Sequence, residues 1–181
     1  MTRALIVVDI QNDYFPGGAH PLVGPEAAAE RARLLLDAFR ASGETVVHVQ
    51  HVWDEPDAPF MRPGTVGVEI HPSLAPAEGE TVIRKAHPNS FLETGLEELL
   101  RGASVDSLVV CGMMTSMCVD ATVRAASDLG FAVSVAHDAC AAPNLVFSGR
   151  EVPAADVHAA FLAALDGSYA RVAAAEELAG E

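Results

Sequence analysis

The chain has 181 residues, of which 50% are apolar, and this is enough to bury one sizeable core, so we expect a single domain over residues 1–181. Aspartate and glutamate number 25 against 11 lysines and arginines, and the net charge of −14 opposes binding to nucleic acid or to an anionic membrane. The partners that we expect are therefore small molecules and further copies of the same chain.

Five apolar runs of strand length recur along the chain, with a sixth, shorter run near its end. They cover residues 4–10, 45–52, 81–85, 107–113 and 132–138, and the short run is 169–173. Segments with helical spacing separate them, at 25–41, 91–101, 116–129 and 153–165. Near-continuous hydrophobic strands that alternate with helices predict a three-layer α/β/α domain with a mostly parallel sheet of about six strands.

Residues 53–80 interrupt this alternation. They contain five of the eleven prolines and show little periodicity, which predicts a long ordered loop of the kind that often carries function.

Three chemically complementary residues follow strands of the predicted sheet. Asp9 ends the first run, Lys85 ends the third, and Cys118 lies just beyond the fourth. Ligands of open α/β sheets bind beyond the carboxyl ends of the strands, so these residues predict a site there. Each one alone has a simpler explanation, because strands often end in a polar residue and unpaired cysteine is usually a small buried apolar side chain.

The surroundings of Cys118 suggest a nucleophile. Thr115 is placed to cap a helix, which would put Cys118 where the unpaired N–H groups and the helix dipole favour a thiolate. A nearby Lys85 ammonium would lower the pKa of the thiol further. Asp9 could accept the thiol proton and later deliver it to a leaving amine, while backbone N–H groups hold the oxyanion.

The other two cysteines are predicted to be structural. Cys111 lies inside a strand and Cys140 follows the fifth run. Three cysteines are an odd number in a chain too long to need disulfides, which predicts free thiols and a cytoplasmic protein.

The chain resembles the isochorismatase-like cysteine hydrolases, the superfamily that includes nicotinamidases and N-carbamoylsarcosine amidohydrolase. The matching segments are LIVVDIQNDYF (5–15), GETVIRKAHPNSF (79–91) and VVCGMMTSMCVDATVRAASDLGFAVSVAHDACAA (109–142). The resemblance implies a catalytic triad of Asp9, Lys85 and Cys118 and an oxyanion hole formed by the backbone N–H groups of Met114 and Cys118. It further implies a cis peptide bond between Met113 and Met114, and a homo-oligomer.

Two departures from the family pattern narrow the expected chemistry. Metal-dependent nicotinamidases carry an Asp-x-His pair after the second strand, and this chain has none there, so we predict no metal site and disfavour nicotinamide as the substrate. His48, His51 and His71 remain alternative ligands. True isochorismatases lack the nucleophilic cysteine, so the presence of Cys118 favours cleavage of a C–N bond over hydrolysis of a vinyl ether.

Aromatic and sulfur-containing side chains near the strand ends are candidates for substrate contacts, although packing in the core explains each of them equally well. The predicted substrate-binding residues are Tyr14, Phe15, Trp53 and Met117.

These observations predict a cysteine amidohydrolase that forms a thioester at Cys118 and needs no organic cofactor. One alternative is a catalytically silent ligand-binding or scaffold protein of the same fold. A nucleotide- or flavin-binding domain is a third possibility, weakened because DIQNDYFPGG, after the first strand, has no G-x-G-x-x-G pattern.

Overall fold

A six-stranded parallel sheet forms the centre of the computed structural model, which describes residues 2–181. This described part of the chain contains eight strands, β1 (Arg3–Val8), β2 (Thr45–His51), β3 (Thr81–Lys85), β4 (Ser107–Met113), β5 (Ala132–Ala141), β6 (Leu145–Phe147), β7 (Arg150–Val152) and β8 (Arg171–Ala173). The sheet has the order β3-β2-β1-β4-β5-β8, and every neighbouring pair is parallel. All residues of β1 after Arg3 are buried, as expected for a strand covered on both faces.

Five helices cover the two faces of this sheet: α1 (Pro25–Ser42), α2 (Leu96–Gly102), α3 (Asp120–Asp128), α4 (Ala154–Leu165) and α5 (Ala175–Ala179). Alternate residues of β1 point to opposite faces, with Leu5 in one core cluster and Ile6 in the other. The first cluster contains the apolar faces of α1 and α5, and the second contains those of α2, α3 and α4. The predicted three-layer α/β/α fold is therefore confirmed.

The strand order reverses between β1 and β4. From β1 the chain adds β2 and β3 on one side, whereas β4 is followed by β5 and β8 on the other side. This reversal is the point at which open α/β sheets bind their ligands, beyond the carboxyl ends of the strands. The residues that follow β1 and β4 are therefore placed where a site is expected.

Two predicted helices differ from the structure at their N-terminal ends. The helix expected over 91–101 begins at Leu96, because Glu93 has a positive φ of 56°, which a right-handed helix does not allow. The helix expected over 116–129 is divided into a widened π-type turn, Thr115–Val119, and α3. In that turn the Val119 N–H donates to the Met114 carbonyl, five residues earlier, at 3.2 Å.

A short antiparallel hairpin of β6 and β7 was not predicted. Its two-residue turn is Ser148-Gly149, and both residues have positive φ, 50° and 75°, as type I′ hairpin turns require. The flanking strands are only three residues long, so the alternation that marks a strand was too short to detect.

The proline-rich segment 53–80 is largely irregular, with one short helical turn at Pro72–Leu74. The carboxylate of Asp13 holds it against the segment that follows β1. The Met61 N–H donates to Asp13 Oδ2 at 2.6 Å, and the Ala19 N–H donates to Asp13 Oδ1 at 3.0 Å. Two amides thus bind one buried carboxylate, which anchors the predicted loop beside the ends of the strands.

Among residues 2–181, the helices are either too short or too polar to cross a lipid bilayer.

Candidate active site

Asp9, Lys85 and Cys118 are brought together at the carboxyl edge of the sheet. Asp9 directly follows β1, Lys85 is the last residue of β3, and Cys118 lies in the π-type turn after β4. All three are buried, with 0%, 4% and 2% of their surface exposed. Asp9 has a positive φ of 50°, a conformation that aspartate tolerates better than most residues, and its N–H donates to the Val49 carbonyl at 3.0 Å.

The Lys85 ammonium has three close acceptors. Its Nζ lies 2.7 Å from Asp9 Oδ2, 2.9 Å from His51 Nδ1 and 3.0 Å from the His87 carbonyl oxygen. An ammonium has three N–H donors, so the number of close acceptors matches the number of donors. Burial disfavours the charged form of Lys85, but the nearby Asp9 carboxylate favours it, and the pKa of Lys85 is raised above its usual value. Lys85 therefore keeps its positive charge.

The second oxygen of the Asp9 carboxylate has no such partner. Both oxygens of the carboxylate are buried and neither accepts a hydrogen bond of good geometry from residues 2–181, but Oδ2 forms the ion pair with Lys85 Nζ, at 2.7 Å. Asp9 thus has one oxygen held by Lys85 and one that is free to act on a neighbouring group.

His51 joins this cluster, a contact that the sequence did not predict. Its Nδ1 lies 3.9 Å from Cys118 Sγ, and one ring nitrogen of His51, the Cys118 sulfur and an Asp9 carboxylate oxygen all lie within 4.8 Å of one another. The sequence contained a signal for this contact. His51 is the last residue of β2, and β2 lies between the strands that supply Asp9 and Lys85. Burial and the Lys85 charge lower the pKa of His51 to about 4, so its ring is neutral at neutral pH.

The environment of the Cys118 thiol differs from the prediction. Thr115 does not cap a helix, because its Oγ1 is paired with His158 Nδ1 at 2.9 Å. Burial first, and then the Asp9 carboxylate, raise the pKa of Cys118 well above its usual value, and Lys85 offsets only part of this effect. The predicted resting thiolate is therefore wrong: desolvation outweighs the attraction of one ammonium that is already paired with a carboxylate.

The pH dependence of alkylation should reveal this neutral thiol. We expect the rate of Cys118 alkylation by iodoacetamide to keep rising with pH through 8 and beyond 9, because a raised pKa leaves most of the thiol protonated below that range. The rate can be followed by peptide mass spectrometry, which separates Cys118 from Cys111 and Cys140. A plateau below pH 8 would contradict the raised pKa.

A cavity of about 290 Å³ opens above Cys118. Tyr14, Trp53 and Met117, three of the four predicted substrate contacts, line it together with Met114 and Cys118. The rest of its lining consists of His51, Glu55, Phe60, Ala86 and Pro88. Phe15 lies elsewhere, with its ring stacked on that of His71 at a centroid distance of 3.7 Å in the core. The lining is thus mainly apolar, and the predicted nucleophile lies in its wall.

The peptide bond between Met113 and Met114 is cis, as the family resemblance implied. It joins the end of β4 to the turn that carries Cys118. Met114 and Cys118, the two residues predicted to form an oxyanion hole, both border the cavity. Their catalytic role stays a prediction.

One known protein family matches nearly the whole sequence. The isochorismatase domain model covers residues 3–177. The chain belongs to the isochorismatase family. The isochorismatase family protein YddQ of Bacillus subtilis strain 168 is 52% identical to it over 97% of this chain and 98% of YddQ.

Other members of the isochorismatase family support the assignment. A homologous isochorismatase hydrolase from Oleispira antarctica has a crystal structure that matches with a TM-score of 0.96 and 52% identity, over 99% of this chain and 97% of that one. Streptothricin hydrolase of Streptomyces noursei is 42% identical over 76% of this chain, but the match spans only 49% of that protein.

Within residues 2–181, this isochorismatase-family chain also offers one group of side chains that could surround a metal ion, namely Asp9, His51 and Cys118. A cation there would compete with the Lys85 ammonium for Asp9 Oδ2 and His51 Nδ1, because Lys85 already lies within 2.9 Å of both atoms. The other two candidate histidines have partners elsewhere, His48 with Glu80 at 2.9 Å and His71 with Ser73 at 2.8 Å. The ligand atoms of Asp9 and His51 therefore suit the Lys85 ammonium better than a metal ion. The absence of a metal requirement stays a prediction.

Proposed function

We propose that the protein hydrolyses a C–N bond of a small amide through a thioester at Cys118. The observation that carries this proposal is the position of the Cys118 sulfur in the wall of a mainly apolar cavity, next to the ion pair of Asp9 and Lys85. A volume of about 290 Å³ is at the lower end for ligand cavities, which favours a small molecule. The family assignment and the hydrolase activity in the name of the Streptomyces relative support hydrolysis.

The first half of the reaction forms the thioester. Cys118 Sγ attacks the amide carbonyl carbon as the thiol proton passes to Asp9, and the carbonyl electrons move onto oxygen. The backbone N–H groups of Met114 and Cys118 bind this oxyanion. As the tetrahedral intermediate collapses, the C–N bond breaks and Asp9 returns the proton to the leaving nitrogen.

The second half releases the acid. Asp9 takes a proton from a water molecule as that water attacks the thioester carbon, and the C–S bond then breaks. The proton on Asp9 returns to the sulfur, which restores the thiol. Lys85 keeps its charge throughout and holds Asp9 in place, because each of its N–H donors has a close acceptor.

A neutral resting thiol is compatible with this scheme. The nearby carboxylate that raises the pKa of Cys118 is also the group placed to accept its proton, so the thiolate forms only as it attacks. A raised thiol pKa would equally suit a silent ligand-binding protein, and measurement of turnover separates the two functions.

The test is a screen of small amides, ureas and lactams for release of ammonia or amine. We expect turnover by the wild type, with an acyl adduct on Cys118 detectable by mass spectrometry after rapid quenching, and activity at least about 10³-fold lower in Cys118→Ser. Cys140→Ala is the matched control, since Cys140 is a buried thiol outside the cavity. Turnover that survives in Cys118→Ser would overturn the mechanism, and ligand binding with no hydrolysis would favour the silent protein.

A further inference from the structure

The turn that carries Cys118 is wider than a turn of regular α-helix. In an α-helix the Cys118 N–H would donate to the carbonyl four residues earlier, which belongs to Met114. The Met114 carbonyl instead accepts from the Met117 N–H at 3.0 Å and from the Val119 N–H at 3.2 Å, three and five residues ahead. The hydrogen bonds of this carbonyl therefore bypass the Cys118 N–H, which is one of the two proposed donors to the oxyanion.

The first residue of the widened turn is tied to a different helix. Turns of the π type are rare, so contacts with other elements are needed to hold one in place. Thr115 begins this turn and is fully buried, and its Oγ1 lies 2.9 Å from Nδ1 of His158, on α4. Threonine hydroxyls in helices often bond to a carbonyl of the preceding turn, whereas this hydroxyl reaches across to α4.

Helix α4 is a firm support for this contact. Leu162 and Leu165, on its buried face, belong to the same core cluster as Cys118. Burial lowers the pKa of His158 below its usual value, so its ring is neutral at neutral pH and can form a hydrogen bond with the Thr115 hydroxyl. The packing of α4 thus fixes the position of Thr115 at the start of the turn.

We propose that His158 is a positioning residue: through Thr115 it keeps the turn wide, and this leaves the Cys118 N–H available to the oxyanion. Without the contact the turn rewinds to α-helical geometry, the Cys118 N–H bonds to the Met114 carbonyl, and the oxyanion loses one donor. Neither His158 nor Thr115 lines the cavity, so their effect on a substrate passes through the backbone of the turn. The inference rests on the proposed function for the role of this N–H, but not for the shape of the turn.

Amide hydrogen exchange, followed by NMR, reports the shape of the turn without requiring turnover. The chain has three cysteines, so isotope-labelled cysteine gives three backbone signals, and those of Cys111 and Cys140, in β4 and β5, report any change in overall stability. In Thr115→Val and in His158→Leu we expect the Cys118 amide to exchange about three- to tenfold more slowly than in the wild type, as one new hydrogen bond allows. A merely structural role would loosen the turn and speed this exchange, and that result would overturn the inference.

Conservative variants test which atom of each side chain matters. Thr115→Ser keeps the hydroxyl, and His158→Asn places an amide where Nδ1 lies, so both should bring the exchange of the Cys118 amide back to within about twofold of the wild type. The matched control is His158→Gln, whose amide lies at the position of Nε2 and which should not restore the wild-type rate. Rescue by glutamine in place of asparagine, or no rescue by Thr115→Ser, would count against the contact between Thr115 and His158.

Amide turnover separates a failure of this inference from a failure of the proposed function. If both hold, kcat in Thr115→Val should fall by about 10–100-fold while KM changes less than about threefold, because an oxyanion donor acts in the transition state. A raised KM with an unchanged kcat, or unchanged exchange of the Cys118 amide, would overturn the inference and leave the proposed function intact. Slowed exchange in a protein that hydrolyses no amide would instead support the positioning of the turn and refute the proposed function.

Discussion

Replacement of Lys85 by methionine is expected to lower the free energy of unfolding by about 3–5 kcal/mol and to abolish amide turnover. The substitution removes one member of a buried ion pair and leaves the Asp9 carboxylate, which has no exposed surface, without its counter-charge. Methionine fills a similar volume, so the loss of stability is caused by the missing charge and not by a cavity. Urea denaturation followed by circular dichroism measures the stability, and amine release measures the activity.

Two further variants test whether the unpaired Asp9 carboxylate causes the loss of stability. Arg84→Met removes a neighbouring cation on an exposed residue, whose Nε is 3.2 Å from Gln50 Oε1, and should cost less than about 1 kcal/mol. The double variant Asp9→Asn/Lys85→Met removes both charges and should recover part of the lost stability while staying inactive. Asparagine is the suitable replacement because Asp9 has a positive φ, which asparagine also tolerates. A double variant that is no more stable than Lys85→Met would argue against the unpaired charge as the cause.

The sequence could predict the place of the candidate site because parallel strands share one carboxyl edge. Asp9 and Cys118 follow the two central strands, β1 and β4, and Lys85 ends β3. Strand identity and direction were therefore enough to bring these side chains to one edge of the sheet. The same rule applied to β2 would have added His51.

The sequence could not predict properties that depend on how deeply a side chain is buried or on the balance between nearby charges. The pKa of Cys118 is the result of burial, one carboxylate and one ammonium, and spacing along the chain does not reveal how deeply the sulfur lies. Phe15 and Tyr14 are adjacent in sequence, yet only Tyr14 borders the cavity, because Tyr14 ends a short helical turn, Asn12–Tyr14, and Phe15 follows it with an extended backbone. The start of α2 was likewise decided by one backbone angle, at Glu93.

Close contact between the two central strands depends on one glycine beside the site. Gly112 pairs with Val8 across β1 and β4 and has a φ of 137°, a conformation that residues with a side chain rarely adopt. A Cβ at this position would lie 2.0 Å from the Val8 carbonyl oxygen and 2.7 Å from the Val8 carbonyl carbon. Both are backbone atoms of a buried strand, so they cannot move aside as the end of a flexible side chain could. The next residue after Val8 is Asp9, and any shift of this backbone also moves the proposed base.

Gly112→Ala should therefore lower the free energy of unfolding by about 2–6 kcal/mol, since it combines an unfavourable φ with overpacking against the backbone. Any folded fraction should also lose amide turnover, because a displaced Asp9 cannot meet the Cys118 thiol correctly. Gly102→Ala is the matched control: Gly102 ends α2 without a positive φ, and a Cβ added there would have no heavy atom within 4 Å, so a change below about 1 kcal/mol is expected. Chemical denaturation of the two variants side by side decides the matter, and equal stabilities would show that the β1–β4 contact can relax around a methyl group.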